Sequence, residues 1–240
     1  MTAVLRQEWR DLLFLHWAVP RESLRPLIPQ GLELDLFDDQ AYVTLIPFRI
    51  SGSRPAFLPR QASMAFLETN LRTYVRAPDG EPGIYFFSLD ASSVSAVVGG
   101  RLLFGLPYFP ATMVATLDGR RIDYRSRRRV GGHARIEAVW TASDAGHPAA
   151  PATRDHFLVE RYSLYVMRGG TIYRGRVRHQ PYALHDASVE HLEESLLAAA
   201  GVVVPAAPPL AHFSPGVDVT IYWLERVPGD LARGHGTRVL

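Results

Sequence analysis

Glu68, Asn70 and Arg72 recur at every second position of the run Met64–Arg76, which on an extended strand sets all three on one face. A guanidinium can hold a carboxylate through paired hydrogen bonds, and a nearby carboxyl group can carry a proton. On a cavity wall the trio would bind a small acid and move its protons. On an outer face it would be a solvated cluster with a cross-strand ion pair. Phe66 and Tyr74 flank it on the same face and argue against a fully wet surface. Tyr108 could serve as a phenolic acid or as a donor to a substrate carbonyl, or simply as a buried aromatic with a satisfied hydroxyl. Arg101 suits a carboxylate clamp or a cap for helix carbonyls. The expected acid/base groups are thus Glu68 and Tyr108. The expected ligand contacts are Arg72, Arg101, Asn70, Tyr74 and Phe66.

Composition removes several other chemistries. All 26 basic residues are arginine, and a guanidinium stays protonated. Amine catalysis through a lysine side chain is therefore closed to this chain. With no cysteine, disulfides, thiolate nucleophiles and Cys-ligated metals are excluded. The nine histidines make no His-x-x-x-His pair; His179, His185 and His191 are six apart and His156 stands four before Glu160, so no metal site is expected. No Gly-x-Ser-x-Gly elbow or P-loop occurs, and Gly99-Gly100 alone is weak evidence for phosphate binding. No cofactor is expected. Residues 120–135 hold seven arginines; a net charge of only +2 and few interleaved aromatics favour a charged hairpin edge over a nucleic-acid surface. No apolar stretch is long enough for a membrane helix and no signal-like segment opens the chain, so a cytoplasmic protein is expected.

The elements that must position these residues are mostly strands. Apolar or alternating runs at 12–19, 32–37, 40–50, Met64–Arg76, 84–89, 112–117, 122–127, 133–141, 157–167, 171–179, 210–213 and 217–227 are bounded by turn residues. Pro20 opens one short helix, Asp90 reads as the cap of a second, and 188–200 carries the clearest helical stripe: Val189, Leu192, Leu196 and Ala199 before Gly201. Residues 51–61 and 143–153 read as loops, the latter mobile. Residues 101–111, with Gly105, Pro107 and Pro110 in an apolar run, read as a stiffened buried loop. The expectation is a mainly β (α+β) domain over 1–227, an antiparallel barrel or sandwich with a few short packed helices, followed by a flexible tail at 228–240. Strands apolar on both faces favour an enclosed interior that holds a small ligand.

Two resemblances sharpen this. The pattern Arg101-x-x-x-Gly105-Leu106-Pro107-x-x-x-Ala111 resembles the active-site segment of acetoacetate decarboxylases, whose Schiff-base lysine position is Tyr108 here. That resemblance makes Glu68 the counterpart of a functional glutamate on an upstream strand. Over nearly its full length the chain is similar to the DUF2071 (YqjF-like) family. The similarity rests on Phe14-Leu15-His16-Trp17, Glu68-x-Asn70-x-Arg72-Thr73-Tyr74, Leu106-Pro107-Tyr108, Glu160-Arg161-Tyr162 and His212-Phe213-Ser214. It implies an acetoacetate decarboxylase-like fold and no assigned activity. The reading is a cavity for a small acidic or carbonyl compound with lyase, isomerase or dehydratase chemistry that needs no Schiff base. The alternative is a non-catalytic protein that senses or sequesters such a ligand. A small-molecule partner and a homo-oligomer are compatible with it; nucleic acid and membrane are not expected.

Overall fold

Strands β1 (Ala3–Val19), β3 (Ala41–Pro55) and β4 (Met64–Arg76) carry apolar side chains on both faces, and the molecule has a core on each side of them. In β1, Leu13, Leu15 and Trp17 belong to one core, and Leu12 and Phe14 to the other. In β3, Val43 and Leu45 join the first, and Ile46, Phe48 and Ile50 the second. This is the period-two geometry of a strand applied to a shared wall.

The computed structural model describes residues 1–203 and 205–228; of the expected tail, the residues from 229 onward lie outside that range. Among the described residues, thirteen strands form one sheet. The others are β2 (Glu33–Leu34), β5 (Pro82–Ala91), β6 (Tyr108–Asp118), β7 (Arg121–Arg128), β8 (Arg135–Pro148), β9 (Ser163–Arg168), β10 (Thr171–Arg178), β11 (Ala183–Glu194), β12 (Leu210–Tyr222) and β13 (Glu225–Arg226). The order is β13-β10-β9-β5-β6-β7-β8-β11-β12-β1-β3-β4-β2, and two further pairings, β10–β12 and β5–β4, turn the sheet back on itself. One circuit of paired strands runs β5-β9-β10-β12-β1-β3-β4. A second runs β5-β6-β7-β8-β11-β12-β1-β3-β4. The wall β12-β1-β3-β4-β5 is common to both, which is why its strands are apolar on two faces. The expected barrel or sandwich thus takes the form of one large sheet closed through shared strands. It is mixed rather than purely antiparallel, because β5 pairs in parallel with both β6 and β9.

Local irregularities set the phase of the wall. The β1–β3 register shifts between Arg10 and Leu15, where Asp11 adopts φ 56° and its carboxylate accepts from Arg49 Nη2 at 2.7 Å and Nε at 3.0 Å. Such a bulge changes side-chain parity. It puts Trp9 and Leu12, three apart, on the wall of one cavity.

Several expected elements differ. The segment 188–200 is not a helix: β11 runs to Glu194, and only α4 (Leu196–Ala199) is helical. A register shift between Val189 and His191 lets strand phase bring Ala187, Val189 and Leu192 all against the core, so an i, i+3 stripe is satisfied by a bulged strand. Packing between β8 and β12 outweighs a weak helix propensity. The expected strand 157–167 begins as a helix, α3 (Arg154–Val159), whose N-cap Thr153 accepts from the His156 amide. The expected loop 143–153 is β-paired as far as Pro148. Pro20 precedes α1 (Arg21–Leu24), the expected strand 32–37 shrinks to β2, and the expected strands 210–213 and 217–227 become one strand, β12, which ends at Tyr222 and is followed by the short β13. Asp90 caps nothing; it lies in β5, and Ser93 caps α2 (Val94–Gly99). The arginine-rich strand β7 lies between β6 and β8 rather than at an edge.

Candidate functional site

Beneath α2 and the π-helical turn that continues it (Gly100–Phe104) lies a cavity of about 280 Å³. It is enclosed by the β5-β9-β10-β12-β1-β3-β4 circuit, and β4 supplies one wall stripe: Met64, Phe66, Glu68, Asn70 and Arg72. The alternate residues Leu67 and Leu71 face the other core. The trio therefore faces inward, and the solvated alternative is eliminated by its burial: Glu68 is 4% exposed, Asn70 7% and Arg72 6%.

Tyr108 is brought to Glu68 by the π-helical turn and the parallel pairing of β6 with β5, in which Tyr108 stands opposite Leu89. Its hydroxyl donates to Glu68 Oε2 at 2.9 Å. Gly105 closes the turn with φ 66°, its amide bonding the Arg101 carbonyl at 3.1 Å; an L side chain is strained in that left-handed conformation. Gly100 leaves room for the tyrosine. A Cβ there would collide with Cδ2 and Cε2 of the Tyr108 ring.

Burial pushes the Glu68 carboxyl up to about 7, helped by the Asp90 charge and opposed by hydrogen bonds from Tyr108 and Asn70. Burial, and then the adjacent Glu68, hold the Tyr108 phenol well above its ordinary range. Near neutral pH the pair is thus a carboxyl group able to give or take a proton and a phenol that stays protonated. That is the environment-driven division of roles on which acid–base sites are built.

Arg72 is distinguished by what it lacks. Its Nη2 donates to the Leu158 carbonyl at 3.1 Å, while its Nε is buried without a hydrogen-bond partner, as is Asn70 Oδ1. No carboxylate lies within ion-pair distance of it among the described residues. The other buried arginines are matched: Arg161 with Asp35 at 2.7 Å, Arg128 with Asp90 at 2.7 Å, and Arg174 with Asp79 and with Glu81 at 3.1 Å. A buried guanidinium without a counter-ion is costly.

The remaining expected contacts fall elsewhere. Phe66 lines the cavity. Tyr74 does not: it is fully buried behind Arg72, donating to the Leu158 carbonyl at 2.7 Å and sharing a 2.5 Å hydrogen bond with Thr44. Arg101 is exposed and points away from the cavity, its Nε donating to the Tyr108 carbonyl at 2.7 Å. It clamps the backbone of a site residue. Sequence reasoning missed Gly100, and it missed the Asp90–Arg128 pair, in which Arg128 also stacks 3.9 Å over Phe109 and fixes the strand carrying Tyr108. The Gly99-Gly100 dipeptide was the available signal for the first. Among the described residues no cluster of three or more His, Asp or Glu is placed to hold a metal ion.

The DUF2071 family profile, described as an uncharacterized conserved protein, matches residues 6–218. This chain belongs to the DUF2071 family. It is 39% identical over 221 residues to the uncharacterized protein YqjF of Bacillus subtilis strain 168, covering 92% of this chain and 90% of that one. Solved structures similar to this DUF2071 protein include acetoacetate decarboxylase from Legionella pneumophila, with a TM-score of 0.66, 15% identity and 94% and 88% of the two chains covered. The enduracididine biosynthesis enzyme MppR complexed with pyruvate matches at TM-score 0.65 and 14% identity, over 94% and 91%. An acetoacetate decarboxylase-like enzyme from Sphingomonas wittichii RW1 matches at 0.62 and 13%, over 95% and 94%. At these identities the likeness is one of fold. The DUF2071 fold is thus acetoacetate decarboxylase-like, with Tyr108 in a chain that has no lysine.

Proposed function

We propose that the cavity binds a small carboxylic acid bearing a carbonyl group and catalyses proton transfer next to that carbonyl. Arg72 takes the carboxylate, Asn70 orients it, Glu68 acts as the base and then the acid, and Tyr108 donates a hydrogen bond to the carbonyl oxygen as it gains charge. The observation that carries this is the buried, counter-ion-free Arg72 on the same wall stripe as the Glu68–Tyr108 pair. A bound carboxylate would supply the missing partner and satisfy the open Nε position. The pyruvate complex of a neighbour in fold supports the ligand class. The chemistry open to Glu68 and Tyr108 is enolisation and the isomerisation, dehydration or lyase steps that begin with it; without lysine no side-chain imine takes part.

Thermal-shift measurements with keto acids, hydroxy acids, phenols and quinones test the reading, using wild type and Arg72→Leu. Keto acids are expected to stabilise wild type and leave the variant unmoved. Phenols stabilising both proteins equally, with acids doing nothing, would overturn it. Tight stabilisation without turnover of any stabilising acid would shift the protein to a sensor or sequestering role at the same site.

A further inference from the structure

Resting on that reading, we infer that the ligand is not a two- to four-carbon acid but an amphipathic oxo acid with an extended apolar body, aryl or branched. In this assignment the carboxylate lies at the inner end of the cavity and the body reaches toward the mouth.

The direction of the cavity carries the argument. Along β4 the lining begins at Met64, which is 47% exposed, and ends at buried Arg72; the next residue on that face, Tyr74, is 0% exposed and outside the cavity. At about 3.3 Å per residue the wall from Phe66 to Arg72 is roughly 20 Å long. The Arg72 end is stoppered. Tyr74, Phe14 and Leu158 pack there in one core cluster, Phe14 meets Tyr182 ring-to-ring at 5.2 Å, and Arg72 itself is tied to the Leu158 carbonyl. The opposite end meets solvent beside Met64 and Leu103, the latter 50% exposed. Between the two ends the lining is mostly apolar, with Gln7, Ser53 and Arg54 near Met64 at the mouth, so the cation at the closed end selects a molecule whose inner end is the carboxylate and whose body is apolar.

Size points the same way. At about 30 Å³ per water the 280 Å³ cavity has room for roughly nine waters. A three-carbon acid at Arg72 would leave most of that space as water against Phe48, Phe66, Phe86, Leu89, Leu106 and Ile221. Filling it with an apolar body releases that water and restores the packing density of a protein interior.

The test is a calorimetric affinity series with pyruvate, 2-oxohexanoate, phenylpyruvate and 4-phenyl-2-oxobutanoate, together with 4-phenyl-2-butanone, which lacks the carboxylate. Affinity is expected to rise about fourfold for each buried methylene equivalent. The phenyl acids should bind at least about a hundredfold tighter than pyruvate, and the ketone should be far weaker than its matching acid. Leu103→Trp, an exposed substitution at the mouth, should weaken the phenyl acids and leave pyruvate unchanged. Pyruvate binding as tightly as the phenyl acids would overturn the inference while leaving the carboxylate reading intact. The ketone matching its acid would overturn the carboxylate reading, and with it the orientation argued here. No binding by any compound would overturn both.

Discussion

Glu68 gains a proton more readily in the folded chain than in the unfolded one, and the sign of the consequence is definite. With the carboxyl raised from the usual 4.5 to about 7 by burial, the stability associated with its protonated form is present below pH 4.5 and is lost as pH rises through 7. Glu68→Gln cannot ionise, so its stability relative to wild type should grow between pH 5 and pH 8, by up to about 3 kcal/mol. Denaturant titrations at the two pH values check this, and a difference independent of pH would contradict the raised carboxyl. Asp90 and Arg128 are a different case: both are buried and each is the other's partner. Asp90→Asn leaves the Arg128 charge unmatched and should cost about 3–5 kcal/mol, read as a shifted denaturation midpoint; a cost below about 1 kcal/mol would show that the pair is not sealed from water. The period-two spacing of Glu68, Asn70 and Arg72 was plain in the sequence. Which face it occupied was not, because alternation is the same on a wet surface and on a cavity wall.

The element that presents Tyr108 shows where local reasoning stops. Gly105, Pro107 and Pro110 correctly mark 101–111 as unfit for a regular helix, yet its first part is a π-helical turn and Tyr108 begins a strand. The turn is held by a contact no periodicity reveals, the Tyr108 ring against the bare Cα of Gly100. Gly100→Ala should push that ring off Glu68. Ligand-induced stabilisation and any turnover should fall about tenfold or more, an amount that the loss of one hydrogen bond to a charged group allows, with little loss of global stability because α2 lies at the surface. Binding and turnover equal to wild type would show that the ring has room to spare. In β11 the reverse happened: the i, i+3 apolar stripe was real, but a bulge between two neighbouring strands accommodated it, a choice that only strand partners distant in sequence can make.

At the scale of the molecule, two closed strand circuits share one wall, and that is what makes room for a cavity lined by buried Glu68 and by Tyr108 in 240 residues. The doubly apolar strands were legible as central. The sharing was not, because it depends on the pairings β5–β4 and β10–β12 across long sequence separations. Amide exchange should be slowest in the shared wall, around Leu13, Leu15, Leu45 and Leu71, which are 0% exposed, and faster in β2 and β13 at the sheet ends; uniform protection would contradict the shared-wall account. The central claim is that this wall holds Glu68 against Tyr108, at the start of β6, ready to move a proton next to a carbonyl. Its most direct test is the loss of the C3 proton signal of 4-phenyl-2-oxobutanoate in D₂O, followed by proton NMR with wild type and Glu68→Gln. The account predicts exchange about a hundredfold faster with wild type than with the variant. Equal rates for the two proteins, at the level of the uncatalysed reaction or above it, would contradict it.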